Sequence, residues 1–144
     1  MTLRSFVFGT GETSPATDLG LLLLRLGAGL SLAFGHGLGK LPVSAGFVAG
    51  TAEMGFPLPA LFAWAAALSE FVGGVLLAVG FMTRPAAFFV ACTMATAFFL
   101  RHGGAFGEGE KALLFLVAAL ALLASGAGRY AADRAFRVRP LGAR

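Results

Sequence analysis

The sequence predicts an all-α, polytopic membrane protein built as a bundle of four transmembrane helices. Of its 144 residues, 58% are hydrophobic and 12% are charged, whereas a soluble domain is about 45–50% apolar and about 25% charged. Apolar stretches separated by turns recur along the chain, and a helix needs about 20 such residues to cross a bilayer core of about 30 Å. We therefore expect residues 18–128 to form one bundle, without a second domain.

The first span is predicted over residues 18–40, with Asp18 as its N-cap. It is apolar on nearly every side, yet Arg25, His36 and Lys40 are spaced so that they project from roughly one face of a helix. A second stripe holds small residues at every fourth position: Gly27, Ser31, Gly35 and Gly39. Small residues at this spacing let another helix approach closely in lipid. The helix is thus expected to line a polar interior and to have close neighbours.

The other spans are expected at residues 60–81, 85–101 and 109–126. Residues 43–59, between the first two spans, are too polar and glycine-rich to cross a membrane, and they predict a short interfacial helix. Residues 1–17 are rich in Gly, Ser and Thr and predict a flexible tail. Residues 129–144 form a basic tail.

Basic residues predict the orientation of the bundle. Four crossings place both termini on one side of the membrane, together with seven arginines: Arg4, Arg84, Arg129, Arg134, Arg137, Arg139 and Arg144. The opposite side receives three basic residues: Lys40, Arg101 and Lys111. Because cytoplasmic loops carry the excess of Lys and Arg, we expect both termini in the cytoplasm and a multi-pass protein of the inner cell membrane. The same bias explains the net charge of +4, so no nucleic-acid partner is predicted.

Two ionisable residues, Arg25 and Glu70, lie away from the ends of the predicted spans, and they define a buried polar centre. Glu70 is near the middle of the second span, where an ionisable side chain costs about 3 kcal/mol on insertion scales. Counted from the helix ends, Arg25 lies within reach of Glu70, so we predict an ion pair between the two. One interpretation is that this pair only fixes the register of two helices. The alternative is that Glu70 bonds a ligand inside the bundle.

A second polar group is expected at the far ends of the spans, where His36, Lys40, His102 and Glu110 are candidate ligand-binding residues. His and Lys can donate hydrogen bonds to the carbonyl oxygens of a quinone, and phenylalanines can pack against its ring. Two histidines could also ligate a haem iron or a metal. Their spacing matches no known metal motif, so no metal or haem site is predicted.

Several motifs together resemble the DoxX family. They are R-x-G-x-G from Arg25, GHGLGKL at 35–41, E-x-x-G-G from Glu70, LAVGFMTRPAA at 77–87, GEKALLFL at 109–116 and GAGRYAAD at 126–133. The resemblance implies a small four-helix membrane protein and, loosely, a quinone-linked redox role. It carries recurring polar positions onto Arg25, His36, Lys40, Glu70, Arg84, Glu110 and Asp133, but no agreed catalytic residue.

The sequence leaves three functions open. The first is a quinone-linked redox component, or a subunit of a membrane oxidoreductase complex, with quinone as its cofactor and membrane redox proteins as its partners. The second is a non-enzymatic scaffold or assembly factor, and the third is a carrier for a small apolar molecule. Membrane lipid is a partner in each case, and the small-residue stripe also suits a homo-oligomer. Whether the chain is itself an enzyme stays open.

Overall fold

A computed structural model describes residues 14–136, and all of their regular structure is helical. The helices are α1 (Pro15–Lys40), α2 (Ala45–Glu53), α3 (Pro59–Val79), α4 (Thr83–Arg101) and α5 (Phe106–Ser125). A short 3₁₀ helix follows at Ala132–Phe136. The predicted all-α membrane fold is confirmed.

The packing of the bundle is that of a protein surrounded by lipid. Three helices, α1, α3 and α4, are long and apolar enough to cross a membrane. Helix α5 has 20 residues but carries three charged residues near its start. Large apolar side chains such as Leu23, Phe89 and Leu114 are exposed, while alanines such as Ala33, Ala67 and Ala87 are fully buried. Small residues inside and large ones outside are typical of helices that pack closely in a bilayer.

The start of α1 differs from the expectation. Its N-cap is Ser14, whose side chain accepts a hydrogen bond from the Thr17 amide at 3.2 Å. Pro15 follows at the first helical position, where its missing N–H costs nothing. Asp18 is therefore not the cap. It lies one turn further on, buried, and its carboxylate accepts a hydrogen bond from the Arg129 amide at 2.8 Å.

Helices α1 and α3 approach each other through glycines. A Cβ atom at Gly29 would lie 2.6 Å from the Gly74 carbonyl oxygen, and one at Gly74 would lie 2.8 Å from the Gly29 oxygen. By contrast, Gly27 and Gly35 of the predicted small-residue stripe have no such atom within 4 Å. Within residues 14–136, the close contact thus uses the face of α1 that also holds Arg25, because that face points into the bundle.

The two ends of the bundle are different. At the proximal end, where α1 begins and α5 ends, the segment 126–136 folds back over the helices. The amide of Asp133 donates to the Gly80 carbonyl at 2.8 Å, and its carboxylate accepts from the amides of Met82 and Thr83 at 2.7 and 3.1 Å. At the distal end, where α1 ends and α5 begins, lie α2 and the cavities described below.

Candidate functional site

The buried carboxylate of Glu70 is paired with Lys40. The Lys40 Nζ donates to both carboxylate oxygens, Oε1 at 2.5 Å and Oε2 at 2.6 Å. The Glu70 side chain is 3% exposed and that of Lys40 is 34% exposed. The predicted Arg25–Glu70 ion pair is wrong. Lys40 takes the place of Arg25 because the end of α1 packs on α3 at the level of the acid. A Cβ atom at Gly37, three residues before Lys40, would lie 2.7 Å from the carbonyl carbon of Glu70.

Arg25 belongs to the proximal end instead. It is fully buried, and its Nη2 donates to the carbonyl oxygen of Tyr130, in the segment that folds back over the helices. Its Nε and Nη1 have no hydrogen-bond partner within residues 14–136. The two members of the predicted polar centre therefore lie in different places, and Arg25 holds the C-terminal segment on the bundle.

Two further polar positions implied by the family resemblance also lie at the proximal end. Arg84 donates to the Ala124 carbonyl at 3.2 Å, and Asp133 joins the loop between α3 and α4. Arg129, four residues before Asp133, lies near Asp18, with Nε 3.8 Å from the carboxylate, while the Asp133 carboxylate is bound to backbone amides. The contacts at the proximal end therefore hold the segment 126–136 against the helices.

Three turns of π-helix surround the Lys40–Glu70 pair, and nothing in the sequence pattern announced them. They are Ala33–Gly37 in α1, Ser69–Gly73 in α3 and Ala97–Arg101 in α4. A π turn holds one more residue than an α turn and is frequent at functional sites. Here Ser69 and Glu70 begin one of these turns, and His36 lies in another. The widened turns make this part of the bundle the candidate functional site.

A groove opens from the Lys40–Glu70 pair between α2, α3 and α4. Its volume is about 570 Å³, within the range of about 300–1,000 Å³ that suits small-molecule sites. The walls are mostly apolar and include Phe47, Phe62 and Phe89. The Lys40–Glu70 pair forms the polar end of the groove, and Arg101 adds another charged side chain to the wall. The groove therefore suits an amphipathic molecule with a small polar head.

The polar end of the groove combines a neutralised ion pair with a buried hydroxyl. Because Glu70 takes two of the three N–H groups of Lys40, one donor stays available, and Nζ lies 5.4 Å from the centre of the Phe47 ring. Ser69 lines the groove, and its buried Oγ has no hydrogen-bond partner among the described residues. A buried polar atom without a partner costs about 1–3 kcal/mol. A ligand oxygen that accepts a hydrogen bond from this hydroxyl would recover part of that cost.

A second cavity of about 230 Å³, which we call the vestibule, lies on the other side of the pair, between α1, α4 and α5. His36, Lys40 and His102 all line it, so three of the four candidate ligand-binding residues come together. The ring of His36 packs edge-on against Phe115 with centroids 5.4 Å apart. Glu110 is exposed and does not line either cavity.

Two charged residues of the vestibule were missed by the sequence analysis. They are Glu108 and Lys111. Helix α5 begins at Phe106, and residues three apart share a helix face. The phase of α5 thus turns these two residues toward the vestibule and Glu110 away from it. In residues 14–136, no three side chains of His, Cys, Asp or Glu form a group that could hold a metal ion.

Comparison with known proteins gives a family and one relative. The model of the DoxX family matches residues 20–103, more than half of the chain. A protein of Haemophilus influenzae, described as uncharacterized, is 39% identical over 79 residues, which cover 49% of this chain and 59% of that protein. The chain thus spans less than two thirds of this relative's length. No solved structure matches the chain.

Proposed function

The chain belongs to the DoxX family of membrane proteins, and from this premise we propose that it binds a quinone in the groove and acts as a quinone-linked component of a membrane redox system. The observation that carries the proposal is the placement of the buried Lys40–Glu70 pair in the wall of a mostly apolar groove. The tail of a quinone is apolar and its head carries neutral carbonyl oxygens. The apolar side chains of the groove match the tail, and the hydrogen-bond donors beside the ion pair match the head.

Charge at the ion pair favours a neutral head group at that point of the groove. The carboxylate of Glu70 cancels the charge of Lys40 at short range, so the pair offers hydrogen bonds without net charge. Arg101 lines the groove as well and adds a positive charge to its wall. An anionic head placed against the pair would meet the negative charge of Glu70, and like charges are strongly unfavourable in a region of low dielectric constant. A neutral acceptor at the pair avoids this repulsion.

The residues that would hold the head group follow from the groove. Lys40 and Ser69 supply N–H and O–H donors at its polar end, and His102 offers a third polar group in the shared wall. The rings of Phe47, Phe62 and Phe89 bury the apolar ring and the start of the tail. When bound, a quinone supplies electron and proton transfer within the membrane. This chain contributes binding, orientation and hydrogen bonds.

The wider role needs a partner protein. The described residues offer polar side chains and one exposed thiol, Cys92, and an electron donor would come from a redox protein in the same membrane. We propose the inner cell membrane as the location, with both termini in the cytoplasm, because Arg84, Arg129 and Arg134 lie at the proximal end.

Quenching of the single tryptophan tests the proposal. Trp64 lies on α3, one position from the groove residue Ala65. In nanodiscs, a short-chain quinone should quench Trp64 fluorescence with a saturable component above the linear background of membrane partition. Ala66→Phe places a ring in the groove and should weaken the saturable component at least tenfold.

The matched control is Ala121→Phe, because Ala121 is exposed on α5 and does not line the groove. This variant should bind like the unmodified protein. Purely linear quenching in the unmodified protein, or equal binding by the two variants, would overturn the proposal. The scaffold and carrier functions would then be the better interpretations.

A further inference from the structure

The groove and the vestibule meet at the same residues. Lys40, Glu70, Ala97 and His102 line both cavities. The ion pair therefore forms part of the wall between a cavity that faces α2 and one that faces α5. Lys40 is partly exposed, whereas Glu70 is almost fully buried. A group with this placement can bond a ligand on one side and water on the other.

The walls of the two cavities have different chemistry. Besides the shared residues, the groove is lined by four phenylalanines, by Met54, by small and hydroxyl side chains, and by one arginine, Arg101. The much smaller vestibule adds three ionisable side chains: His36, Glu108 and Lys111. Glu108 and Lys111 are both exposed at the start of α5, so the vestibule leads from the buried carboxylate to the distal surface. Polar walls stabilise enclosed water, and apolar walls leave a cavity dry.

We propose that the vestibule is hydrated and that it connects the Lys40–Glu70 pair to the solution at the distal surface. Its volume of about 230 Å³ has room for several water molecules. Glu70 would accept hydrogen bonds from this water, and His36 would accept a hydrogen bond from it or donate one to it. The polar wall thus gives a chain of water a path to a carboxylate that is buried in the bundle.

The consequence for the groove rests on the proposed function. A proton given by Lys40 Nζ to an oxygen of the reduced ligand is replaced by a proton from the solution at the distal surface, which passes along the vestibule water and through the Glu70 carboxylate. Lys40 and Glu70 end in the charge states in which they began. The pair carries protons only, and the electrons come from a membrane redox partner. The vestibule is the proton inlet of the quinone site.

Radiolytic footprinting with methionine reporters tests the hydration. Hydroxyl radicals formed from bound water oxidise methionines next to that water. Met94 is buried and lines the vestibule, so it should be oxidised in the unmodified protein. Leu32→Met adds a second reporter in the vestibule wall, and Leu122→Met adds one in the core. Both leucines are almost fully buried, and the substitution nearly conserves volume.

We expect the new methionine at position 32 to be oxidised at least fivefold faster than the new methionine at position 122. Met94 should be oxidised about as fast as the methionine at position 32. Equal rates at the three sites would overturn the proposal. A short-chain quinone should slow the oxidation of Met54 in the groove and leave Met94 unchanged. Loss of oxidation at Met94 on adding the quinone would also overturn it, because the two cavities would then be one.

These outcomes are separate from those of the groove test. A dry vestibule together with saturable quenching of Trp64 would refute the inlet and leave quinone binding standing. Rapid oxidation of Met94 together with linear quenching would refute quinone binding and leave the hydrated path standing. The oxidation assay needs no redox partner and no turnover.

Discussion

The Lys40–Glu70 pair should be energetically asymmetric, and this can be measured. In Lys40→Met, the Glu70 carboxylate loses the donor that holds both of its oxygens while its side chain is only 3% exposed. Breaking a buried pair by removing one partner costs about 3–5 kcal/mol. Because Lys40 is 34% exposed and water can reach the vacated space, we expect the lower end, a loss of about 3 kcal/mol in the free energy of unfolding.

The reverse change should cost less. In Glu70→Gln, the ammonium group of Lys40 can turn toward water, so we expect a loss of about 1 kcal/mol, comparable to one hydrogen bond. The double variant Lys40→Met/Glu70→Gln contains no unpaired buried charge and should be about as stable as Glu70→Gln alone. The stabilities of the single variants would then be strongly non-additive, as in a double-mutant cycle on contacting residues.

Unfolding of bicelle-reconstituted protein by a denaturing detergent, followed by circular dichroism, measures these differences. Lys111→Met is the control, since Lys111 is an exposed lysine without an ion pair among the described residues. It should change stability by less than about 0.5 kcal/mol. A double variant that loses the sum of the two single losses would refute the reasoning, because the two groups would not then be coupled.

Three further outcomes are expected. Gly29→Ala, which forces a methyl group to 2.6 Å from the Gly74 carbonyl, should lower stability by about 1–3 kcal/mol in the same unfolding assay, and Gly27→Ala, with no atom within 4 Å, should not. Arg25→Met removes the bond to the C-terminal segment, so trypsin should cut after Arg129 several-fold faster. Fusions at the C-terminus should give fluorescent GFP and inactive alkaline phosphatase, and active phosphatase would reverse the proposed orientation.

The class of fold follows from the sequence because a bilayer restricts what the chain can do. Apolar stretches of about 20 residues have to be helices, since every backbone group must be bonded within the segment. The face of α1 with Arg25, His36 and Lys40 also lies inward, as helical spacing requires. The small-residue stripe misled because glycines occur on two faces of α1, and spacing alone does not say which face meets α3.

The partners of the buried charges could not be read from the sequence. Depth along a helix suggested Arg25 for Glu70, but the segment 126–136 returns over the proximal end and bonds Arg25 from 105 residues away. A contact at such separation has no local signal. Lys40 ends α1, and the packing of Gly37 on the backbone of Glu70 and Phe71 brings it level with the acid. The packing of the helices is needed to show that Glu70 pairs with Lys40 and not with Arg25.

The wide turn at Ser69–Gly73 has a consequence for the length of α3. It contains one residue more than a regular helix would use in that stretch. Deleting a single residue there would restore unbroken α-helical hydrogen bonding, and the glycine at 74 that seats against α1 would keep its facing, because the wide turn already absorbs the extra residue. A deletion in the regular turns of α3 would instead rotate everything beyond it by about 100°. Deletion scanning along α3 should therefore find its greatest tolerance at the wide turn.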